Sequence, residues 1–144
     1  VKIETTRLGI IEVQDEKVIT MPAGMIGFPH RKRFVILQHK AHSPFFWYQS
    51  LEDPGLAFLI TNPRFFLPDY GLDLQQIERA THWNGTMQEG GNLEFYVTVR
   101  IPRGDPRKMT ANLVGPIVVN TRLMEAVQVV LADGTHSHRH PLIH

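Results

Sequence analysis

Apolar residues recur at every second position over residues 93–101: Leu93, Phe95, Val97, Val99 and Ile101 alternate with Glu94, Tyr96, Thr98 and Arg100. A period of two sends the two sets to opposite sides of an extended chain, so this run predicts a β-strand with one face buried. Runs rich in β-branched and aromatic residues predict further strands at Arg33–Gln38, 46–50 and 56–61, the last entered through Asp53, Pro54 and Gly55. Residues 10–13 and 18–21 flank Gln14-Asp15-Glu16-Lys17 and predict a hairpin. Residues 110–131 hold two more β-rich runs, broken at Gly115-Pro116 and at Asn120. Within them Asn112, Pro116 and Asn120 are expected to shape the backbone where strands end.

Asp133-Gly134 is the strongest hairpin signal in the chain, set between residues 127–131 and 135–140. With those residues as the loop, Leu131 would face His136, Val129 would face His138 and Val127 would face His140, so the three imidazoles would share one face. Helical signals are short. Asn62 before Pro63 predicts a single helical turn. Over Leu74–Ala80, Leu74, Ile77 and Ala80 fall on one helical side among good helix formers. Gly24 to Pro29 reads as a turn between strands, and residues 84–92 and 102–106 read as loops. The expectation is one all-β domain over residues 1–144: a small closed or nearly closed barrel or sandwich of short antiparallel strands, with one or two short helical turns.

Composition narrows the function more than it identifies it. Fifteen Lys and Arg against fourteen Asp and Glu leave a net charge of +1, too balanced for broad attraction to nucleic acid or an anionic membrane. The absence of cysteine removes disulfides, thiol nucleophiles and Cys-ligated metal sites. No run approaches the ~20 apolar residues of a membrane-spanning helix, and residues 1–13 lack a signal-peptide pattern; a cytoplasmic location without membrane contact is expected.

Catalytic spacings such as Gly-x-Ser-x-Gly, His-Glu-x-x-His or a phosphate-cradling Gly-x-x-x-x-Gly-Lys are missing. The one pattern that suggests metal is His136, His138 and His140, with His144 nearby. Same-face residues on a strand stand roughly 6.5–7 Å apart, too far for three collinear imidazoles to meet one ion bound at about 2.1 Å. A metal-dependent enzyme on this hairpin is therefore the competing reading, and the expectation is no catalytic residue, no metal and no cofactor.

Aromatic and basic residues point to binding. Phe45, Phe46, Trp47 and Tyr48 form a dense run, and Phe65, Phe66 and Tyr70 lie in a segment marked by Pro63 and Pro68. Arg103, Arg107 and Lys108 form a basic loop relieved by Asp105. Stacking beside positive charge can hold single-stranded RNA. Against that, strand alternation sends Phe46 and Tyr48 to one face and Phe45 and Trp47 to the other, so one pair belongs to the core. Aromatics and arginines also build protein interfaces, and these ten residues are the candidate contacts; the rings of Phe65, Phe66 and Tyr70 either meet a partner or plug one end of the barrel. No direct contact with nucleic acid is expected.

The sequence blocks in order resemble the FliW family. Gly24-Met25-Ile26-Gly27-Phe28-Pro29 followed by Arg33-Phe34-Val35-Ile36-Leu37 is similar to the family's opening signature. Pro44-Phe45-Phe46-Trp47-Tyr48-Gln49-Ser50, Asp53-Pro54-Gly55-Leu56-Ala57-Phe58 and Phe65-Phe66-Leu67-Pro68-Asp69-Tyr70 continue it. Thr110-Ala111-Asn112-Leu113, Pro116-Ile117-Val118-Val119-Asn120, Gln128-Val129-Val130-Leu131 and Arg139-His140-Pro141-Leu142 resemble its C-terminal half. The resemblance implies a β-barrel-like cytoplasmic assembly factor with two protein partners. One is flagellin, held before export; the other is CsrA, the repressor of flagellin translation, which flagellin would release when it occupies the factor.

Overall fold

The computed structural model describes residues 1–131, 134 and 136–142. Its strands are β1 (Lys2–Thr5), β2 (Gly9–Glu12), β3 (Ile19–Thr20), β4 (Arg33–Gln38), β5 (Phe45–Ser50), β6 (Ala57–Thr61), β7 (Leu93–Arg100), β8 (Thr110–Ala111), β9 (Ile117–Asn120), β10 (Glu125–Gln128) and β11 (His140–Pro141). The helix α1 spans Leu74–Ala80. Strands β3, β4, β5, β6, β7, β9 and β10 bond in that order into a ring that β7–β9 pairing closes. All its pairings are antiparallel except the single β3–β10 contact at Thr20 and Glu125. The fold is thus a small mostly-β barrel, as the strand pattern predicts.

Inside the ring lie Ile19, Met21, Phe34, Tyr48, Ile60, Ile117, Val119 and Ala126, joined by Ile36, Phe46, Phe58 and Tyr96. Phe34 and Tyr48 stack nearly parallel at 4.4 Å between centroids. The outer wall is also largely apolar and is covered piecewise. The β1–β2 hairpin lays Ile3, Ile11 and Val13 on Val35 and Leu37 of β4. Helix α1 and the loop after it bring Ile77, Trp83 and Met87 onto Leu93, Phe95 and Val118. The segment around Phe66–Leu72 brings Leu67, Tyr70 and Leu72 onto Val97, Ala111 and Leu113.

Local chemistry explains where these covers begin. Asn62 accepts the Arg64 N–H at 2.9 Å ahead of a 3-10 turn at Pro63–Phe65, and Asp73 accepts the Gln75 N–H at 2.9 Å to start α1, both as N-caps. Ile77 is fully buried at the centre of the apolar face of α1. Gly24 holds φ +70 in the turn after β3, where a Cβ would come within 2.7 Å of the Phe28 and Pro29 carbonyls; only glycine fits there. No helix among the described residues is long and apolar enough to cross a membrane.

Two expected hairpins pair differently. β2 returns onto β1 rather than onto residues 18–21. Thr5 Oγ1 accepts the Leu8 N–H at 2.8 Å and donates to the Gly9 carbonyl at 2.9 Å, and Gly9 supplies φ +72, so the tight turn falls earlier. Asp15–Lys17 form a 3-10 turn that carries the chain away to β3. At the other end, Asp133 lies outside the described residues. The flanking segments find other partners: the Val129 and Leu131 amides bond to the Pro116 and Val114 carbonyls, and His140 pairs with Ala111. Residues 113–116 supply unpaired backbone groups that residues 129–131 satisfy, which prevents a direct 127–131 to 136–140 ladder.

Those groups exist because β8 and β9 lie along one edge of β7 with an excursion between them. Tyr96 faces Ile117 and Val99 faces Ala111, leaving Val97 and Thr98 opposite all of residues 112–116. Asn112 Oδ1 accepts the Val114 and Gly115 N–H groups at 3.0 and 3.3 Å. Asn120, fully buried, accepts from the Arg122 and Leu123 amides at 3.0 and 3.1 Å and from Asn92 Nδ2 at 2.9 Å, and donates to Thr86 Oγ1 at 3.2 Å. Both asparagines shape backbone, as their positions at strand ends predict.

Asn120→Ala removes a buried knot of four hydrogen bonds and is expected to lower unfolding free energy by about 2–4 kcal/mol in urea denaturation. Glu52 provides a pH test. Some desolvation works against the ionisation of this exposed side chain, but the Lys32 and Arg33 amides at 2.6 and 3.0 Å and the Arg33 and Arg31 charges hold its carboxyl below the usual range. That contribution is complete above the ordinary carboxylate pKa and is lost as pH falls through the lower folded value. Glu52→Gln should flatten that part of the acid stability profile measured by thermal unfolding.

Candidate interaction surface

With the hairpin, α1 and the Phe66–Leu72 segment in place, one stretch of the outer wall stays bare. Trp47 of β5 stands directly opposite Leu59 of β6, and both are only half-buried. The next strand, β7, pairs with β6 only through Ile60–Thr98 and Thr61–Val97. Past that point no further β6–β7 residue pair forms, and among the described residues Ile101 makes no backbone hydrogen bond. The seam opens into a cavity of about 390 Å³ bounded by Arg7, Trp47, Ala57, Leu59, Val99 and Ile101. It continues past Thr98 and Arg100 into a second cavity of about 370 Å³ reaching Asn112, His138 and Arg139.

Both banks of the seam are cationic. On one, the β1–β2 turn is tied down by the Thr6 amide bonding to the Pro54 carbonyl at 2.9 Å. It places the Arg7 guanidinium 4.2 Å from the centre of the Trp47 ring, a cation–π contact, with His39 5.7 Å from the same ring. The other bank carries Arg100 and Arg139, and beyond them the exposed loop of Arg103, Arg107 and Lys108. Arg103 sits in the left-handed region at φ 36, a turn conformation few side-chain-bearing residues adopt. Asp105, the acid of that loop, caps the Arg107 amide at 3.2 Å and meets its Nε at 3.4 Å. No carboxylate lies among the described residues that line the two cavities.

The ten residues singled out from sequence divide sharply. Trp47 borders the seam, whereas Arg103, Arg107 and Lys108 are exposed in the loop that follows β7. Phe65 is 68% exposed in the 3-10 turn that follows β6. Phe45 is half-buried at the end of β5, opposite Thr61. Phe46 turns inward and meets Tyr96 edge-on at 6.2 Å. Phe66 packs in the outer cover, stacked on His140 at 5.7 Å.

Tyr48 and Tyr70, by contrast, are sealed from solvent. Tyr48 is fully buried in the barrel, its hydroxyl without a hydrogen-bond partner among the described residues, and burial pushes its phenol far above the usual pKa. Tyr70 is 4% exposed and its hydroxyl donates to the Leu113 carbonyl at 2.9 Å, so it fastens the 112–116 excursion to its cover.

The shared histidine face does not form. His136 sits 5.1 Å from the Tyr70 ring, His138 lies in an exposed turn and His140 pairs with β8. Among the described residues no group of three His, Asp or Glu side chains is placed to hold a metal ion. A separate concavity of about 450 Å³ opens at the barrel mouth between Lys17, Ile36, Tyr96 and Met124. Burial first, and then the neighbouring Glu94, push the Tyr96 phenol up to about 12.

Sequence reasoning passed over Arg7, Leu59, Val99 and Ile101. The last two were visible as the tail of the apolar alternation in β7, which runs further than its covers reach. Arg7 carries no sequence signal, since its contact with Trp47 depends on the β1–β2 turn.

Comparison with known proteins follows the same outline. The pattern of the FliW protein family matches residues 2–142. The chain is 38% identical to a flagellar assembly factor FliW of Heliobacterium modesticaldum, over 98% of this chain and 90% of that protein. It is 33% identical to flagellar assembly factor FliW 2 of Desulfotalea psychrophila, over 95% and 87%. A crystal structure of the flagellar assembly factor FliW superposes with a TM-score of 0.86 at 29% identity, covering 100% of this chain and 98% of that one.

The placement of Tyr48 sets a clean expectation. Tyr48→Phe removes a hydroxyl that has no hydrogen-bond partner among the described residues and should leave stability within about 1 kcal/mol of the parent or raise it. Tyr48→Ala should cost about 3–5 kcal/mol through the cavity it leaves. Chemical denaturation of the two variants distinguishes a core role from a surface one.

Proposed function

The chain belongs to the FliW family of flagellar assembly factors, and on that footing we propose that it works by partner switching between flagellin and CsrA. In this reading the free protein binds CsrA and relieves repression of flagellin synthesis. Flagellin that accumulates before export takes the protein and returns CsrA to its targets. The observation that supports it best is the seam: an apolar wall between two cationic banks, beyond the outer faces that the hairpin, α1 and the Phe66–Leu72 segment cover. An apolar strip around a partly buried Trp, ringed by arginines, has the composition of an interface centre. The contacts proposed for the partners are Trp47, Phe65, Arg103, Arg107 and Lys108, with Phe45 at the margin; Phe46, Tyr48, Phe66 and Tyr70 support that surface from beneath.

Switching requires negative coupling, and coupling between two binding equilibria is reciprocal. Calorimetric titration with CsrA and with flagellin from the same organism, then of CsrA into the flagellin-saturated complex, tests it. The expected result is tight binding to each alone and weakened CsrA binding in the last step. Trp47→Ala and Arg107→Glu, checked for folding by circular dichroism, should each weaken at least one affinity by about 2 kcal/mol. Binding to neither partner by folded protein, or unchanged CsrA affinity with flagellin bound, contradicts the proposal.

A further inference from the structure

The seam offers more than an apolar strip, because it exposes the edge of a strand. β7 is fully engaged along its other edge, where Leu93–Tyr96 pair with β9 and Val99 and Arg100 pair with β8. On the β6 side its pairing stops at Val97 and Thr98, and among the described residues Ile101, just past the end of the strand, makes no backbone hydrogen bond. Free edges pair readily with other extended chains, and proteins ordinarily block them with proline, charge or a covering element. Here the block comes only at Pro102, the residue after Ile101.

Three side-chain features define what would fit. The floor beside the edge is Leu59, Trp47 and Ala57, which takes apolar side chains from every second position of an added strand. Arg7, Arg100 and Arg139 stand around the rim, with no carboxylate among the described lining residues. The face of Trp47 is already occupied by the Arg7 guanidinium at 4.2 Å, so it is not a free platform for a nucleic-acid base, which argues for a peptide over RNA.

We infer that the β6–β7 seam binds an extended, acidic segment of a partner protein by strand addition to the end of the β7 edge at Ile101. Alternate apolar side chains of that segment enter the floor and its carboxylates meet the arginines. The inference rests on the partner-binding reading and names the chemistry by which one partner is held. Main-chain bonds to the edge would supply affinity, while the floor and the rim would supply selectivity.

The test uses the full chain and a synthetic hexapeptide that alternates glutamate with valine. Its controls are the same peptide with lysine in place of glutamate, the same peptide N-methylated at alternate backbone nitrogens in each of the two registers, and a single-stranded RNA oligomer. Binding is followed by calorimetry and by backbone amide NMR. The glutamate peptide should bind with shifts centred on Ile101, at least tenfold more tightly than the lysine peptide. One N-methylated register should lose about tenfold or more, because the methyl group removes the donors that face the edge. Arg100→Glu, an exposed substitution whose backbone pairing is unaffected, should weaken the glutamate peptide about tenfold and favour the lysine one.

Equal binding of the two peptides, indifference to both N-methylated registers, shifts centred elsewhere, or tighter binding of RNA at the seam would overturn the inference. If no peptide binds while flagellin or CsrA still does, strand addition fails and the partner-binding reading stands. If neither protein binds either, both fail.

Discussion

The structure depends on one strand with three commitments. β7 closes the barrel against β9, begins the pairing with β6 and carries β8 on its far end. Its alternation places Tyr96 inside the barrel and Leu93, Phe95 and Val97 on the outer wall, where they would be exposed if the barrel stood alone. Burial of such side chains is worth roughly 1.5–3 kcal/mol each. The need to cover that outer stripe accounts for α1, Trp83 and the Phe66–Leu72 segment. The covers run out before the stripe does, and the seam is what remains.

The 112–116 excursion follows from the same strand. Because β8 and β9 share one edge of β7, the chain between them must leave the ladder and return, and its amides and carbonyls need partners elsewhere. Asn112, Gln128, Tyr70 and the amides of Val129 and Leu131 supply them. Gln128 is doubly used: its Nε2 donates to the Gly115 carbonyl and its Oε1 accepts the Ile26 amide, each at 2.9 Å. These polar side chains are thus engaged with backbone. What the molecule leaves available to others is its apolar wall and its arginines, which suits a protein that acts by binding.

Much of this was legible in the sequence, and the failures have a common cause. Strands with clear alternation or β-branched runs, such as Arg33–Gln38 and residues 93–100, stand where the pattern puts them, as do the capped turn at Asn62 and the helix at Leu74–Ala80. Pairing was less legible than position. Residues 10–13 and 18–21 looked like neighbours because they are adjacent in sequence, yet Thr5 and Gly9 create an earlier turn that no period in the apolar residues records. The histidine face failed likewise, since the backbone needs of residues 113–116 override a local hairpin signal. At the candidate surface, alternation separated inward Phe46 and Tyr48 from outward Trp47. It gave no sign that Tyr70 would be buried or that Arg7 would reach Trp47, because both depend on contacts between segments distant in the chain.

The central claim is that the barrel wall is deliberately unfinished between β6 and β7 and that a partner completes it. Amide hydrogen exchange read at Ile101, with Val97 as an internal reference on the same strand, addresses this most directly. The account predicts fast exchange at Ile101 and slow exchange at Val97 in the free protein, and slow exchange at both once flagellin or CsrA is bound at saturation. An Ile101 amide that is already protected in the free protein, or one that stays unprotected in both complexes, would contradict it.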